Sequence, residues 1–531
     1  MSARLPRLPL AILTLAAGLR LWGFWTAGPL WIDELFMAVN LRELGFVGLL
    51  GPMLEGQNGP VGWLWMEKIL WVAAAESDRL LRAPALLASL LSLPLTWELA
   101  RRALGERAAP AALAAVALSP FALWQSFQIK PYALDLCAAL ILFVLALRWL
   151  EVEPDRGRFL ALTLAGVVLS WFSLPLIFTL AGVGGTIFLA RADRRRSACV
   201  LGAAWLLSFG THYLLFLRPR PQPAWLYDFW ADGLLAWPLT GVADLQWLFW
   251  AVSSTVEDPA GQIGFGTAGA LLIVLGLAAS LRPSASPAEA QQALARRLLA
   301  APVLVALLAA ALRLYPFASR LVLFLLPSLV ILGIYGLVTL LRPVFGAVAG
   351  RPQLAEWPAW AWALVPAIFT VHWLPSGGLP LAADSRALFA QLQEEHRPGE
   401  PVVLGHLATY AWPRYGVGLE AEIHETPSAW SHRARPRELR STLDRVAAAS
   451  SGPGPVWVVL TRVQERLSPP GSYGAFLDEQ TTWPPLSIFR EALASGWRIE
   501  EEVQVYGGAL WRVLPASAAE EDGEGASPPS S

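Results

Sequence analysis

The sequence predicts a mainly α-helical, polytopic membrane bundle of about eleven spans, followed by a small extracytoplasmic α/β domain. Three observations predict it. Of the 531 residues, 55% are apolar and only 15% are charged, too greasy a mixture for an ordinary soluble chain. The apolar residues gather in runs of roughly 17–22, about the length of helix that crosses a ~30 Å hydrocarbon layer. From Asp384 onward the text changes character, and polar helices alternate with short strands.

Taken in order, the first apolar run covers 8–25 behind a short basic start. It has the charge of a signal peptide, but Leu21-Trp22-Gly23-Phe24-Trp25 offers no small-residue cleavage pattern, so it reads as a retained span. Further apolar segments follow at 60–76, 80–100, 108–124, 131–150, 159–172, 174–190, 198–217, 263–281, 298–312, 321–341 and 358–374. Arginine-rich connectors belong in the cytoplasm. They are Arg101-Arg102 with Arg107, Arg156 with Arg158, Arg191 to Arg196, Arg282 with Arg296-Arg297, and Arg342 with Arg351. If every segment crossed, the earliest of these connectors would land outside. Segment 60–76 is the natural exception, since three tryptophans and a central Glu67-Lys68 pair suit a helix lying in the interface. Removing it places the arginines inside, with Asp33-Glu34, Lys130-Pro131-Tyr132, the 218–262 loop, Arg313 to Arg320 and everything after 375 outside. The N-terminus is then cytoplasmic, and the protein is a multi-pass component of the inner (plasma) membrane.

Three domains follow: 1–375 in the membrane with a first outer loop at 26–79, 376–515 as the outer domain, and 516–531 as a tail too polar to fold. In the outer domain, helices are expected at Asp384–His396, Arg437–Ala449 and Leu486–Ser495, and strands at Pro401–Gly405 and Pro455–Thr461. A final strand pair over Arg498–Leu514 turns at Gly507-Gly508. A net charge of −1 argues against nucleic acid as a partner. Cys137 and Cys199 both lie in apolar runs, which argues against a disulfide framework. There is no Cys/His cluster, no phosphate-binding Gly loop and no serine-nucleophile elbow; His212, alone in the outer half of a span, reads as a packed residue.

Chemistry is concentrated in the outer loops. Asp33 and Glu34 are adjacent carboxylates just past the first span, a hint of chemistry where a span meets water, although Asp33 can equally cap the helix that follows. Asp135 lies about one turn into the span opened by Lys130-Pro131-Tyr132, where a carboxylate needs a polar cavity or a partner. Lys130 is that partner or a phosphate ligand, and Tyr132 is an interface anchor. Arg320 closes Leu314-Tyr315-Pro316-Phe317-Ala318-Ser319 and can hold an anion at the bilayer surface or snorkel to headgroups. Asn58, in Gln57-Asn58-Gly59-Pro60, offers an amide to a sugar.

Together these pieces resemble the C-fold (GT-C) membrane glycosyltransferases, in particular bacterial relatives of protein O-mannosyltransferase and of lipid A aminoarabinose transferase. The resemblance covers roughly 8–375 and rests on Asp33-Glu34, Gly59-Pro60, Arg79 or Arg82, Asp135, and Tyr-Pro-Phe-Ala-Ser-Arg ending at Arg320. It departs at Asn58-Gly59, where the aminoarabinose enzyme has Glu-Lys, and at Phe36, where it has a phosphate-binding Arg. The resemblance implies inverting transfer of a sugar from a polyprenyl-phosphate donor to a glycan, lipid or protein acceptor, with Asp33 as base and Glu34 beside it. Arg82, Lys130, Tyr132, Asp135, Arg320 and Asn58 would bind substrate, and Glu34 with Asp135 could hold Mg²⁺ or Mn²⁺. The alternatives are a transporter or flippase of lipid-linked saccharides, marked by charges and broken helices deep in the membrane, and a non-catalytic scaffold whose outer domain binds a glycan or a partner.

Overall fold

The computed structural model describes residues 7–516 apart from 75–76, 152–154, 221–223, 236, 238–240, 285, 350, 374–384, 417, 427–435, 450–453, 462, 464–484 and 506–507. The expected tail, the domain junction near 375 and Gly507 of the expected turn lie outside the described residues. The chain divides into two compact units: Met1–Ala27 with Asn40–Gly378, and Gly28–Val39 with Leu379–Ser531.

The larger unit is helical: α1 (Arg7–Thr26), the end of α2 (Ile32–Glu43), α3 (Val61–Ala74), α4 (Asp78–Leu104), α5 (Ala109–Ala117), α6 (Pro120–Trp124), α7 (Tyr132–Leu150), α8 (Arg156–Leu169), α9 (Leu176–Ala190), α10 (Arg195–His212), α11 (Ala224–Phe229), α12 (Val242–Glu257), α13 (Gly266–Ser280), α14 (Pro287–Ala311), α15 (Leu326–Ala349) and α16 (Ala359–Trp373). Among the described residues, seven helical stretches are long and apolar enough to cross a membrane, or eight if α5 and α6, bent by 54°, form one pass. The sequence pattern predicts eleven. The difference lies in α8, α9 and α13, which have 14, 15 and 15 residues, shorter than the ~20 that a straight crossing needs. Helix α3, with 14 residues, forms where the interfacial helix is expected. Helices α13 and α15 meet backbone to backbone, because a Cβ on Gly276 would land on the carbonyl of Leu332 and one on Gly336 on that of Leu272.

The arginine connectors gather at one end of this unit, as charge patterning predicts. Glu98 receives Arg102 (2.6 Å) and Arg101 (3.1 Å), with Arg148 at 3.6 Å, and Arg102 also pairs with Glu151. Arg191 donates to Leu150 O, Arg158 to Arg148 O and Arg296 to Ala103 O, so each satisfies a helix-terminal carbonyl.

In the smaller unit, five strands lie in the order β2-β1-β3-β5-β4: β1 (Val402–His406), β2 (Ile423–Glu425), β3 (Val456–Thr461), β4 (Trp497–Val505) and β5 (Gly508–Pro515). The β1–β2 and β1–β3 pairs are parallel, and β5 is antiparallel to both β3 and β4. Helices α17 (Ser385–Glu395), α18 (Ala408–Tyr415) and α19 (Pro436–Ala449), with a last one at Leu486–Leu493, pack beside the sheet. Expected elements recur within one or two residues of their predicted bounds. Helix α18 and the short β2 are additions that the sequence reading left as loop.

Candidate active site

Asp33 and Glu34 open α2, and they differ in setting. The N–H groups of Glu34 and Leu35 both bond Trp31 O at 2.9 Å, which starts the helix. The Glu34 carboxylate turns back to accept the Trp31 N–H at 3.2 Å, half of a capping box. Acidic residues in a first helical turn also favour the macrodipole. Glu34 is fully buried, whereas Asp33 is partly exposed. The same unit supplies further contacts: Leu30 N–H donates to the Tyr415 hydroxyl at 2.6 Å, and Tyr410 meets Phe36 edge-on at 4.7 Å.

In the larger unit, the end away from the arginine connectors holds most of the other expected site residues. The loop before α3 is gripped from two sides. Lys130 Nζ donates to Gln57 Oε1 at 2.7 Å. Arg220, just past α10, donates to Asn58 Oδ1 (2.9 Å), Gly59 O (2.8 Å) and Leu49 O (2.8 Å). It is 4% exposed, and its Nε has no partner. Burial lowers its pKa from the ordinary value but leaves a guanidinium charged. His212 fixes the start of α3 by accepting the Val61 N–H at Nε2 (3.2 Å) while Nδ1 bonds Ser170 O (3.0 Å). One ring nitrogen must donate and the other accept, which sets a neutral tautomer. Gly62 donates to Trp171 O, and a Cβ there would come within 2.7 Å of that oxygen. The isolated histidine is therefore a packed residue that also caps a helix.

Beside this loop, Asp135 is 4% exposed and its Oδ1 has no hydrogen-bond partner. Ser173 lies next to it. The Tyr315 phenol donates to Leu321 O at 2.9 Å, and its pKa is raised by burial first and then by Asp135 and Tyr132. Arg320 sits over the rings of Trp230 and Tyr132, at 5.4 and 6.0 Å from their centroids. Its neighbour Ser319, with a φ of +45°, donates to Asp258 Oδ2 at 2.6 Å. Asp258 is inaccessible to water on its other oxygen, which has no partner. Burial raises its pKa to about 6, against the opposing pulls of Ser319 and Arg320.

Asp135 and Tyr132 thus both lie near Tyr315, and Arg320 joins them over the Tyr132 ring. Lys130 and Asn58 meet a common loop, Lys130 through Gln57 and Asn58 through Arg220. Arg82 is buried in the opening turns of α4, and Arg79 donates to Trp25 O at 3.2 Å and covers its ring. Sequence reading did not single out Arg220 or Asp258. An arginine in a loop already counted as outside, against the positive-inside trend, was the available signal for Arg220. Asp258 gave none. Among the described residues no three His, Cys, Asp or Glu side chains are arranged to hold a metal.

No protein-family profile and no curated protein sequence matches this chain. Among solved structures, it is similar to ArnT, the lipid A aminoarabinose transferase, from Cupriavidus metallidurans bound to undecaprenyl phosphate. The TM-score is 0.52 at 14% identity, over 95% of this chain and 97% of that one. The fold is that of the GT-C glycosyltransferases. The archaeal oligosaccharyltransferase AglB from Archaeoglobus fulgidus, in complex with an inhibitory peptide and a dolichol-phosphate, matches at a TM-score of 0.43 and 13% identity, over 95% and 74% of the two chains. The assignment of the GT-C fold rests on the first of these. At 95% of the chain, the likeness extends past 8–375 into the C-terminal domain.

Proposed function

We propose that the protein is an integral-membrane glycosyltransferase that moves a sugar from a polyprenyl-phosphate donor to an extracytoplasmic acceptor. The observation that carries this reading is the cation set at one end of the helical unit. Arg220 is buried against three neutral oxygens, so its charge is not cancelled by a carboxylate. Such a fixed charge is worth most where negative charge develops in a water-poor site. Similarity of fold to a protein whose crystal structure holds undecaprenyl phosphate supports a lipid phosphate as that anion.

In the proposed reaction an acceptor hydroxyl attacks the anomeric carbon and its proton passes to Asp33. The bond from that carbon to the phosphate oxygen breaks, and its electron pair leaves with the lipid phosphate. Attack opposite the leaving group inverts the anomeric centre. Lys130, Arg220 and Arg320 oppose the growing phosphate charge, and Asp135 with Tyr132 receives sugar hydroxyls. Glu34 holds the turn that presents Asp33. A positioned base contributes about 10²–10⁴-fold, so Asp33→Asn should cost that much turnover in a folded protein. Mass spectrometry of envelope glycolipids with the gene, without it, and with Asp33→Asn is the test. One monosaccharide missing in both altered strains names the sugar, and an unchanged glycan profile sinks the reading.

One observation favours the flippase alternative. Arg20 is a buried arginine within α1, bonded to Ser89 Oγ (2.7 Å) and to Ala117 O (3.0 Å) at the α5–α6 break. Charge and broken helix do meet inside a candidate span. Arg20 nevertheless lies six residues from Thr26, where α1 ends, or about 9 Å along the helix, and it satisfies a carbonyl freed by the bend. Movement of a fluorescent undecaprenyl-phosphate sugar across vesicles, unaffected by Asp33→Asn, would select that reading.

A further inference from the structure

The segment that carries the two adjacent carboxylates is grouped with the C-terminal domain, although nearly 340 residues separate them in the chain. The grouping has specific contacts. Tyr415, the last residue of α18, accepts the Leu30 N–H at 2.6 Å. That amide lies two residues ahead of the first residue of α2, so the bond fixes how the chain enters the helix. Phe36, one turn on from Asp33, is 4% exposed and meets Tyr410 edge-on with an interplanar angle of 89°. Arg386 of α17 stacks over the Tyr415 ring at 5.5 Å, which limits where that hydroxyl can point. Helix α18 in turn is seated by buried Ala408, Thr409 and Ala411, and it begins two residues after strand β1. A chain of contacts therefore runs from the sheet, through α18, to both sides of Asp33.

We infer that the C-terminal domain is the scaffold of the catalytic turn, and that Tyr415 and Tyr410 are positioning residues that hold Asp33 at a fixed place and angle. This rests on the proposed role of Asp33 as base. Proximity effects in catalysis are sensitive to displacements of about 1 Å, so a domain that sets where a helix starts governs rate without touching substrate. The competing role for such a domain, recruiting the acceptor, makes a different kinetic prediction. Loosening a scaffold lowers kcat and leaves both KM values unchanged, whereas damaging a recruiter raises the acceptor KM.

The experiment uses the full chain in detergent. Hydrogen–deuterium exchange is followed at peptides spanning 28–39 in the parent, Tyr415→Phe, Tyr410→Ala and Asp33→Asn. Tyr415→Phe keeps the ring and removes only the hydroxyl, so it is expected to fold and to speed exchange at Leu30 and the first turn of α2 about 10-fold. Tyr410→Ala should loosen the same peptide, and Asp33→Asn should not. Release of undecaprenyl phosphate from undecaprenyl-phosphate mannose, glucose and aminoarabinose is measured in parallel, with kcat falling about 10-fold in Tyr415→Phe at constant KM. Unchanged exchange in both tyrosine variants overturns the scaffold, whatever the reaction proves to be. A raised acceptor KM at constant kcat also overturns it, in favour of recruitment. If exchange rises as stated while Asp33→Asn retains full turnover, the grip stands and the role of Asp33 as base is what fails.

Discussion

The two ends of the helical unit treat their cations differently. At the arginine-rich end, Arg101, Arg102 and Arg148 share Glu98, and Arg102 also reaches Glu151. At the other end, Arg220 is bound by an amide oxygen and two backbone carbonyls, and Asp135 and Asp258 each keep one buried oxygen without a hydrogen bond. The Glu98 cluster pairs its arginines with carboxylates and holds helix ends together, although Arg296 at the same end is buried on the Ala103 carbonyl with its Nε unpartnered. The Arg220 arrangement fixes charge in place without cancelling it, at the cost of burying groups that are not fully satisfied.

That contrast can be broken at its strongest point first. Arg220→Met removes the charge and strips three oxygens of their donor, so transfer should fall about 10²–10³-fold. Turnover of an undecaprenyl-phosphate sugar per folded molecule is the measure, with Arg220→Lys retaining part of it. A fall no larger than that of an arginine-end variant would erase the distinction between the ends.

Asp258 comes next. Its pKa is raised to about 6 in the folded protein, from about 3.9 in an unfolded chain. Between those values the folded state binds more protons, so the stability Asp258 contributes is present below about pH 4 and is lost as pH rises to about 6. The loss amounts to about 3 kcal/mol. Asp258→Asn keeps an acceptor for Ser319 and abolishes this loss. Its Tm relative to the parent should therefore rise from pH 4 to pH 7, and a constant difference would mean that Asp258 is not desolvated.

At the arginine-rich end, Glu98→Gln should leave three arginines crowded and lower stability by about 2 kcal/mol, read as a drop in Tm. Turnover per folded molecule should not change. Helix caps give the smallest effect and the calibration for both ends. Ser77 accepts the Leu80 N–H at 3.2 Å and Asp155 the Arg158 N–H at 2.8 Å. Replacing either with alanine should cost about 1 kcal/mol. Equal losses show that ordinary helix energetics do not separate the two ends.

Much of this molecule is legible in one dimension. Arginine placement alone separates the two ends of the bundle, because charge near a membrane span is sorted by side. The unbroken apolar run from Val456 to Leu460 gives β3, a strand buried along its whole length, for the local reason that a short β-branched-rich run suits a central strand, and the Gly-marked pair near 507 gives β4–β5. Helix α18 escaped because Pro413 interrupts so short a run, although its burial against the domain core stabilises it. Within the site, Asp135, Tyr132 and Arg320 were visible as polar residues at apolar boundaries. Arg220 and Asp258 were not, since a charge in a long loop carries no sign of burial until the loop is folded.

What the sequence determined by itself is the fold class, the candidate site residues and the end of the bundle to which most of them belong. Hydropathy and charge are local properties, summed along a helix or counted in a loop, and they survive being read without coordinates. Only the tertiary structure decided who satisfies whom: that Arg220 meets neutral oxygens, that His212 caps α3, and that Leu30 and Phe36 rest on tyrosines of the C-terminal domain, the Leu30–Tyr415 pair 385 residues apart. Those pairings join distant parts of the chain, and their energy depends on distance and burial, neither of which is written in any local stretch of sequence.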